Sequence, residues 1–175
     1  MLTAPTIREV TATWELSAAT AGDRPRLERL WQLYRHDLSE FRDSHPDADG
    51  LFKQGPLEAF LAGDPDRIAY LFLRDGRPLG FALIGGVEQE PHRVDDFFVV
   101  RSVRRTGVGR KAAERLLAAH PGAWRIGFQN ENPKAARFWR LLAADLGADV
   151  QETLQPVPDK PHIPHDVILT FTVGG

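Results

Sequence analysis

Apolar residues change their spacing repeatedly along the chain, and these changes mark the boundaries of strands and helices. Alternating or short continuous apolar runs predict strands, whereas apolar residues three and four positions apart predict helices. Strands are predicted at residues 13–17, 67–74, 78–87, 94–100, 124–129, 150–154 and 166–173, and helices at 24–41, 56–61, 107–119 and 133–146. The predicted order is β, α, α, β, β, β, α, β, α, β, β. Because no linker interrupts it, we expect residues 1–175 to form a single α/β domain.

Turn and cap residues support several of these boundaries. Asp75 and Gly76 lie between two predicted strands, and both residue types tolerate positive φ, so they predict a tight hairpin. Asn132 followed by Pro133 predicts a helix start, because asparagine caps the free amides and proline fits the first turn. Gly147 predicts the end of that helix.

Composition narrows the class of protein. The 175 residues are 42% apolar, which is enough to build one sizeable core. The absence of cysteine excludes disulfides, thiolate catalysis and cysteine zinc sites, and agrees with a reducing cytosol. A net charge of -2 argues against a general binder of nucleic acid or membrane surfaces. Residues 1–10 lack a signal-peptide pattern and the apolar runs are strand-sized, so we expect a cytoplasmic protein.

The segment 97–110 carries the strongest chemical signal, because it joins an apolar strand to a basic turn and then to a helix. Gly107 and Gly109 would let a ligand approach the backbone, and a helix start presents N–H groups that have no internal partner. Such a site prefers an anion. The guanidinium groups nearby belong to Arg104, Arg105 and Arg110. A glycine-opened helix beside solvated arginines explains the glycines alone about as well.

Two nucleotide-binding patterns compete for this turn. A Walker loop requires Lys-Ser/Thr after its last glycine, but Arg110 follows Gly109. The Rossmann pattern Gly-x-Gly-x-x-Ala is met at Gly107, Gly109 and Ala112, with Glu131 roughly 20 residues further on. A long basic turn, however, separates the strand from the first glycine, and too little chain follows for a second nucleotide-binding half. An NAD-type binder is therefore the weaker alternative.

Two motifs in consecutive helices resemble those of the GNAT N-acetyltransferase superfamily. The motif Gln/Arg-x-x-Gly-x-Gly/Ala is met at Arg104, Gly107 and Gly109, and the motif Asn-x-x-Ala-x-x-Phe-aromatic at Asn132, Ala135, Phe138 and Trp139. The resemblance covers most of the chain. It implies a central mixed, mostly antiparallel sheet with helices on both faces, and acetyl-CoA as co-substrate. Residues 34–41, taken together with 97–99 and 138–139, look similar to a less characterised branch of predicted acetyltransferases.

The resemblance also implies where the coenzyme would bind. The backbone of 97–99 would pair with the pantetheine arm like an added strand, and the amides of 105–110 would hold the pyrophosphate. Asn132 would hydrogen-bond the arm, and Phe138 would pack beside it. The expected coenzyme-binding residues are Phe97, Phe98, Val99, Arg104, Arg105, Thr106, Gly107, Val108, Gly109, Arg110, Asn132 and Phe138. A helix cap also explains Asn132, and a core position also explains Phe138.

Acetyl transfer to an amine needs a neutral amine, and a lysine-like amine is neutral in only about one molecule in a thousand at pH 7. Asp96 is the candidate general base, because it lies on the strand before the turn, where many relatives carry a carboxylate. By strand alternation, we expect Asp95 to point the other way. The first helix offers candidate acceptor-binding residues, namely Tyr34, Asp37 and Glu40, with His36 beside them. Solvated charges and a packed tyrosine explain these residues at least as well, and water could carry the proton.

Trp139 departs from the family pattern, in which a tyrosine often protonates the leaving sulfur, because an indole cannot do so. This departure motivates an alternative function, a sensor that binds acetyl-CoA but catalyses little. His162 and His165 lack an evident further ligand except Asp166, so no metal is expected. The expected partner is a small-molecule or peptide amine, with no nucleic acid or membrane. Dimerisation is common in such folds, which leaves a homodimer open.

Overall fold

A computed structural model describes residues 14–158 and 162–174, in which seven strands and four α-helices follow one another. In chain order they are β1 (Glu15–Ala18), α1 (Arg24–Leu38), α2 (Gly55–Leu61), β2 (Arg67–Arg74), β3 (Arg77–Gly85), β4 (His92–Val99), α3 (Val108–Ala119), β5 (Gly122–Gln129), α4 (Pro133–Leu146), β6 (Ala148–Gln155) and β7 (Asp166–Val173). The predicted element order is confirmed. The first helix ends three residues earlier than predicted, at Leu38, and Thr13 of the predicted first strand lies outside the described residues.

The seven strands form one sheet in the order β1-β2-β3-β4-β5-β7-β6. Only β4 and β5 are parallel neighbours, and every other neighbouring pair in the described sheet is antiparallel. The predicted mixed, mostly antiparallel sheet is therefore confirmed. The predicted hairpin between β2 and β3 is also present, with Asp75 at φ 50° and Gly76 at φ 72°, the left-handed values that such a turn requires.

Helices cover both faces of the sheet, and each face has its own apolar core. On one face α1 and α2 contribute Leu27, Trp31 and Leu57, which pack with β2, β3 and β4. On the other face α3 and α4 contribute Leu116 and Leu142, which pack with β1 to β5 and β7. These clusters fix α1 above one side of β4 and the start of α3 at the end of β4.

Side chains of α1 hold the loop between α1 and α2 in place. The amide of Gln32 donates to the carbonyl of Phe52 at 3.0 Å and accepts from its N–H at 2.7 Å. The indole of Trp31 donates to the carbonyl of Lys53 at 2.9 Å. These hydrogen bonds fix the loop against α1.

Candidate active site

The parallel strands β4 and β5 pair only at their first residues. His92–Val94 are in register with Trp124–Ile126, and beyond that point β4 pairs only with β3 and β5 only with β7. The β5-facing backbone edge of β4 from Asp95 onward therefore has no strand partner within the described sheet. An edge of this kind can accept an extended ligand as an added strand.

The turn between β4 and α3 presents a group of free amides. Gly107 caps α3 in the left-handed conformation at φ 88°, and Arg105 is also left-handed at φ 64°. Within the described part of the chain, the amides of residues 105–110 donate no hydrogen bond. A Cβ added to Gly107 would meet no atom within 4 Å, so the turn is open to a ligand. The start of α3 thus has the geometry of an anion site.

The arginines of this turn have different roles. Arg104 donates from Nε to the Val99 carbonyl at 2.7 Å and pairs with Asp37 on α1. Arg101 donates to the same carboxylate at 2.6 Å. Arg110 is paired with Glu114 at 2.7 Å and with Asp145 at 2.8 Å. Arg105 is exposed and has no ion pair with a described residue, so it is the guanidinium best able to meet an anion at the turn.

A β-bulge in β4 interrupts the alternation of side-chain directions at the two adjacent aspartates, Asp95 and Asp96. Val94 and Asp96 pair with consecutive residues of β3, and Asp95 is the extra residue. The prediction that Asp95 points away from Asp96 is wrong, because the bulge breaks the alternation. Asp95 pairs with Arg93 at 3.4 Å, and its charge helps to raise the pKa of Asp96.

Asp96 is held between β4 and α1. Its Oδ1 accepts a hydrogen bond from the Tyr34 hydroxyl at 2.8 Å. Burial is the main cause that raises the pKa of Asp96 to about 7, and the Asp95 charge adds to it, although the Tyr34 hydrogen bond and the charge of Arg35 act in the opposite direction. Burial also raises the pKa of Tyr34 well above its ordinary value, so the phenol keeps its proton.

Asp96 lines a cavity of about 490 Å³ where β4 and β5 separate. Its walls come from α1, β4, β5, the start of α4, the end of β6 and the start of β7. The charged side chains around it are Arg35, Arg93, Arg125, Asp95, Asp96 and Asp166. The candidate base therefore shares this cavity with both positively and negatively charged side chains.

The second motif lies along one wall of this cavity. Asn132 Oδ1 accepts from the Ala135 amide at 3.2 Å, so this side chain caps α4 as the helix-cap interpretation predicted. The ring of Phe138 stacks on Phe97 at 5.8 Å and is partly buried against the core. Trp139 is buried, meets the Phe97 ring edge-on at 5.3 Å and lines the cavity beside Asn132.

The predicted acceptor residues on α1 lie in different places. Tyr34 lines the cavity, but Asp37 is occupied by the two arginines of the turn, and Glu40 is exposed after the helix ends. Neither Asp37 nor Glu40 lines the cavity. His36 is exposed, with its Nδ1 3.8 Å from the Asp37 carboxylate.

The sequence patterns gave no role to Arg42 or Arg125. Arg42 joins distant segments by pairing with Glu131 at 3.2 Å and with Asp166 at the start of β7. Arg125 alternates with the buried residues Trp124 and Ile126, a pattern that could have placed it on the opposite face of β5. Among residues 14–158 and 162–174, no group of three or more His, Asp or Glu is arranged to hold a metal ion, and no helix is long and apolar enough to cross a membrane.

Comparison with known families decides the class of the chain. The family model described as Acetyltransferase (GNAT) family matches residues 27–143, which include most of α1, the turn before α3 and the Asn132 motif. The chain belongs to this family. The predicted resemblance is therefore confirmed, and no curated protein matches the sequence significantly.

Solved structures of acetyltransferases share the fold at low sequence identity. An acetyltransferase from Thermus thermophilus is 20% identical with a TM-score of 0.68, over 93% of this chain and 98% of that one. An acetyltransferase from Salmonella typhimurium that modifies the N-terminal serine of ribosomal protein L7/L12 is 14% identical with a TM-score of 0.65, over 93% and 95%. A putative acetyltransferase, yncA from Salmonella typhimurium, solved with acetyl-CoA, is 12% identical with a TM-score of 0.62, over 93% and 95%.

Proposed function

We propose that this GNAT protein moves the acetyl group of acetyl-CoA to a primary amine of a small molecule or peptide, by direct attack while both substrates are bound. The observation that carries the proposal is the position of Asp96. Its carboxylate, with a pKa of about 7, lines a cavity where β4 leaves β5, on the strand that leads into the open amides of residues 105–110. The candidate base thus lies on the strand that leads into the candidate anion site.

The residues around the cleft suit the coenzyme. Acetyl-CoA supplies the acetyl group as an activated thioester. The open edge of β4 at residues 97–99 offers backbone groups to the amides of the pantetheine arm. The amides of residues 105–110 and the positive end of α3 suit the pyrophosphate, and the exposed side chain of Arg105 adds charge. Asn132 uses its oxygen as the cap of α4, which leaves its NH₂ group for the arm.

Asp96 has the properties that the transfer requires of a base. The amine nitrogen forms a bond to the thioester carbon, the carbon–sulfur bond breaks, and the sulfur keeps the electron pair. The amine proton passes to Asp96, and the products are an amide and a thiol. A base with a pKa near the working pH is both deprotonated often enough and strong enough to take the proton, a contribution of about 10² to 10⁴ in rate.

Among the described residues near Asp96, we find no side chain that is well placed to protonate the leaving sulfur. The indole of Trp139 does not act as an acid, and the proton of Tyr34 is donated to Asp96 with a pKa raised well above its ordinary value. A thiol pKa of about 8.5 still makes the thiolate a fair leaving group near neutral pH. The thiolate then takes its proton from water.

Release of free thiol from acetyl-CoA with a broad panel of amines and peptides tests this function. Peptides belong in the panel because the Salmonella typhimurium structural neighbour modifies a protein N-terminus. Thiol release that depends on the amine, together with an acetylated product identified by mass, is the expected result. The variant Asp96→Asn removes the base, and an unaltered rate in this variant would contradict the assigned role.

Trp139 favours a second candidate, a sensor that binds acetyl-CoA without turnover. Tight binding of acetyl-CoA with no thiol release across the panel would support the sensor instead of the enzyme. We further propose a cytoplasmic location, and a homodimer stays a prediction that sedimentation of the protein at several concentrations can test.

A further inference from the structure

Three arginines line the cavity that contains Asp96, and they differ in how their charges are balanced. Arg93 and Arg125 lie directly opposite each other on β4 and β5. Arg93 pairs with the Asp95 carboxylate, whereas Arg125 donates at 2.8 Å to the neutral side-chain amide of Gln155. Like charges on facing strands repel each other. The Asp95 carboxylate offsets the charge of Arg93, whereas the neutral Gln155 does not offset the charge of Arg125.

Arg35 is the third of these arginines, and its charge acts on the candidate base Asp96. It donates to the Ser44 hydroxyl at 3.1 Å, which is a neutral partner. Its Nε is buried without a hydrogen-bond partner, and its charge lowers the pKa of Asp96, although the two form no ion pair within 4 Å. A guanidinium group with a neutral partner keeps an unmatched charge, so an acidic ligand in the cavity that Arg35 lines would stabilise it.

The negative side chains of the cavity do not compensate Arg35 or Arg125. Asp95 is paired with Arg93, and Asp166 is paired with Arg42, which lies outside the cavity wall. Asp96 is required for the amine proton. Among the described residues, neither Arg35 nor Arg125 therefore has an ion-paired carboxylate, which leaves both guanidinium groups able to bind an acidic group of the acceptor.

We propose that the amine acceptor also carries one carboxylate, recognised by Arg35 and Arg125, and that it is a free amino acid. This inference rests on the proposed acetyl transfer at Asp96. Guanidinium groups bind carboxylates through paired N–H donors. Arg35 and Arg125 have neutral hydrogen-bond partners that a single carboxylate can replace, whereas a phosphate dianion would add a further negative charge beside Asp95 and Asp166. The volume of about 490 Å³ suits a small acceptor.

The test compares L-amino acids with the corresponding amino-acid amides, which keep the amine and side chain but lack the carboxylate. The ratio of kcat/KM for acid over amide is measured in the wild-type protein and in the variants Arg35→Gln and Arg125→Gln. The amine pKa differs between an amino acid and its amide. This difference affects every protein variant equally, so it cancels when the ratio of a variant is divided by the wild-type ratio. We expect each variant to lower the ratio at least tenfold.

The variant Arg77→Gln is the matched control, because Arg77 is exposed at the distant β2–β3 hairpin and should keep the wild-type ratio. Unchanged ratios in Arg35→Gln and Arg125→Gln would overturn the inference while acetyl transfer itself remained. Faster turnover of uncharged peptides than of every amino acid would also overturn it. The absence of thiol release with every acceptor would contradict the proposed function and this inference together.

Discussion

The hydroxyl of Tyr34 on α1 donates a 2.8 Å hydrogen bond to Oδ1 of Asp96 on β4. This bond stabilises the ionised carboxylate and so lowers the pKa of Asp96, against the burial that raises it to about 7. The helix α1 thereby adjusts the acidity of a group on the strand that leads to the turn before α3. Because α1 also carries Arg35, it contributes both a donor and a charge to the base.

Removing this bond should shift the activity to higher pH. Above its pKa Asp96 is ionised and can accept the amine proton, so kcat/KM rises as pH increases through about 7. In Tyr34→Phe the pKa of Asp96 rises, and the midpoint of this rise moves to higher pH. The acceptor ionises in the same way with both proteins, so the difference between their pH profiles of kcat/KM reports the ionisation of Asp96. Tyr70→Phe, the matched control at the other tyrosine, should keep the wild-type midpoint.

Removal of the carboxylate should slow the chemistry without loss of coenzyme. We expect Asp96→Asn to lower kcat by about 10² to 10⁴, the usual contribution of a general base. The affinity for CoA, measured by calorimetry, should stay within twofold because Asp96 lies outside the turn that would hold the pyrophosphate. A wild-type kcat in this variant would assign proton transfer to water.

A negative charge at the start of α3 should weaken coenzyme binding. Gly107 has φ 88°, so Gly107→Glu and Gly107→Gln both carry the strain of a side chain in the left-handed region. Only the glutamate adds a charge next to the expected pyrophosphate. We expect the Kd for CoA to be at least tenfold higher in Gly107→Glu than in Gly107→Gln, with equal thermal midpoints. Equal affinities would place the pyrophosphate elsewhere.

The local parts of this site could be predicted from sequence, and the parts made by distant residues could not. Gly107 and Asn132 act through their own backbone and the next helical turn, so residue type and position were enough. The β-bulge at Asp95 leaves no comparable signal in the sequence, because the extra residue of a bulge resembles any other strand residue. The placement of Arg42 against Asp166 joins segments far apart in the chain, and only the fold brings them together.

Asp37, an expected acceptor-binding residue, lies outside the cavity, and its contacts lead to a different prediction. Its carboxylate binds Arg101 and Arg104, and these hydrogen bonds lower its pKa although partial burial opposes them. Asp37→Asn should release the turn from α1 and raise the Kd for CoA by roughly three- to tenfold, while the KM for the amine changes less. A change confined to the amine KM would instead support the predicted acceptor role. Asp43→Asn, at an exposed position on the following loop, is the control.

Acid should destabilise the fold through His120 at the end of the sheet opposite the cleft. Its Nε2 lies 2.9 Å from the Tyr70 hydroxyl, and burial together with the neighbouring His92 lowers the pKa of His120. The folded protein therefore favours the neutral ring, and the unfolded chain takes up a proton first. The free energy of unfolding should fall as pH drops below about 6.5, the ordinary histidine pKa.

The variant His120→Gln keeps a polar side chain but cannot titrate. We expect its free energy of unfolding, measured by urea titration at several pH values, to change less between pH 7 and pH 5 than that of the wild-type protein. The exposed His45, whose side chain is 83% exposed, provides the control His45→Gln, which should keep the wild-type dependence. Identical pH dependence in His120→Gln and the wild-type protein would show that protonation of other groups causes the acid destabilisation.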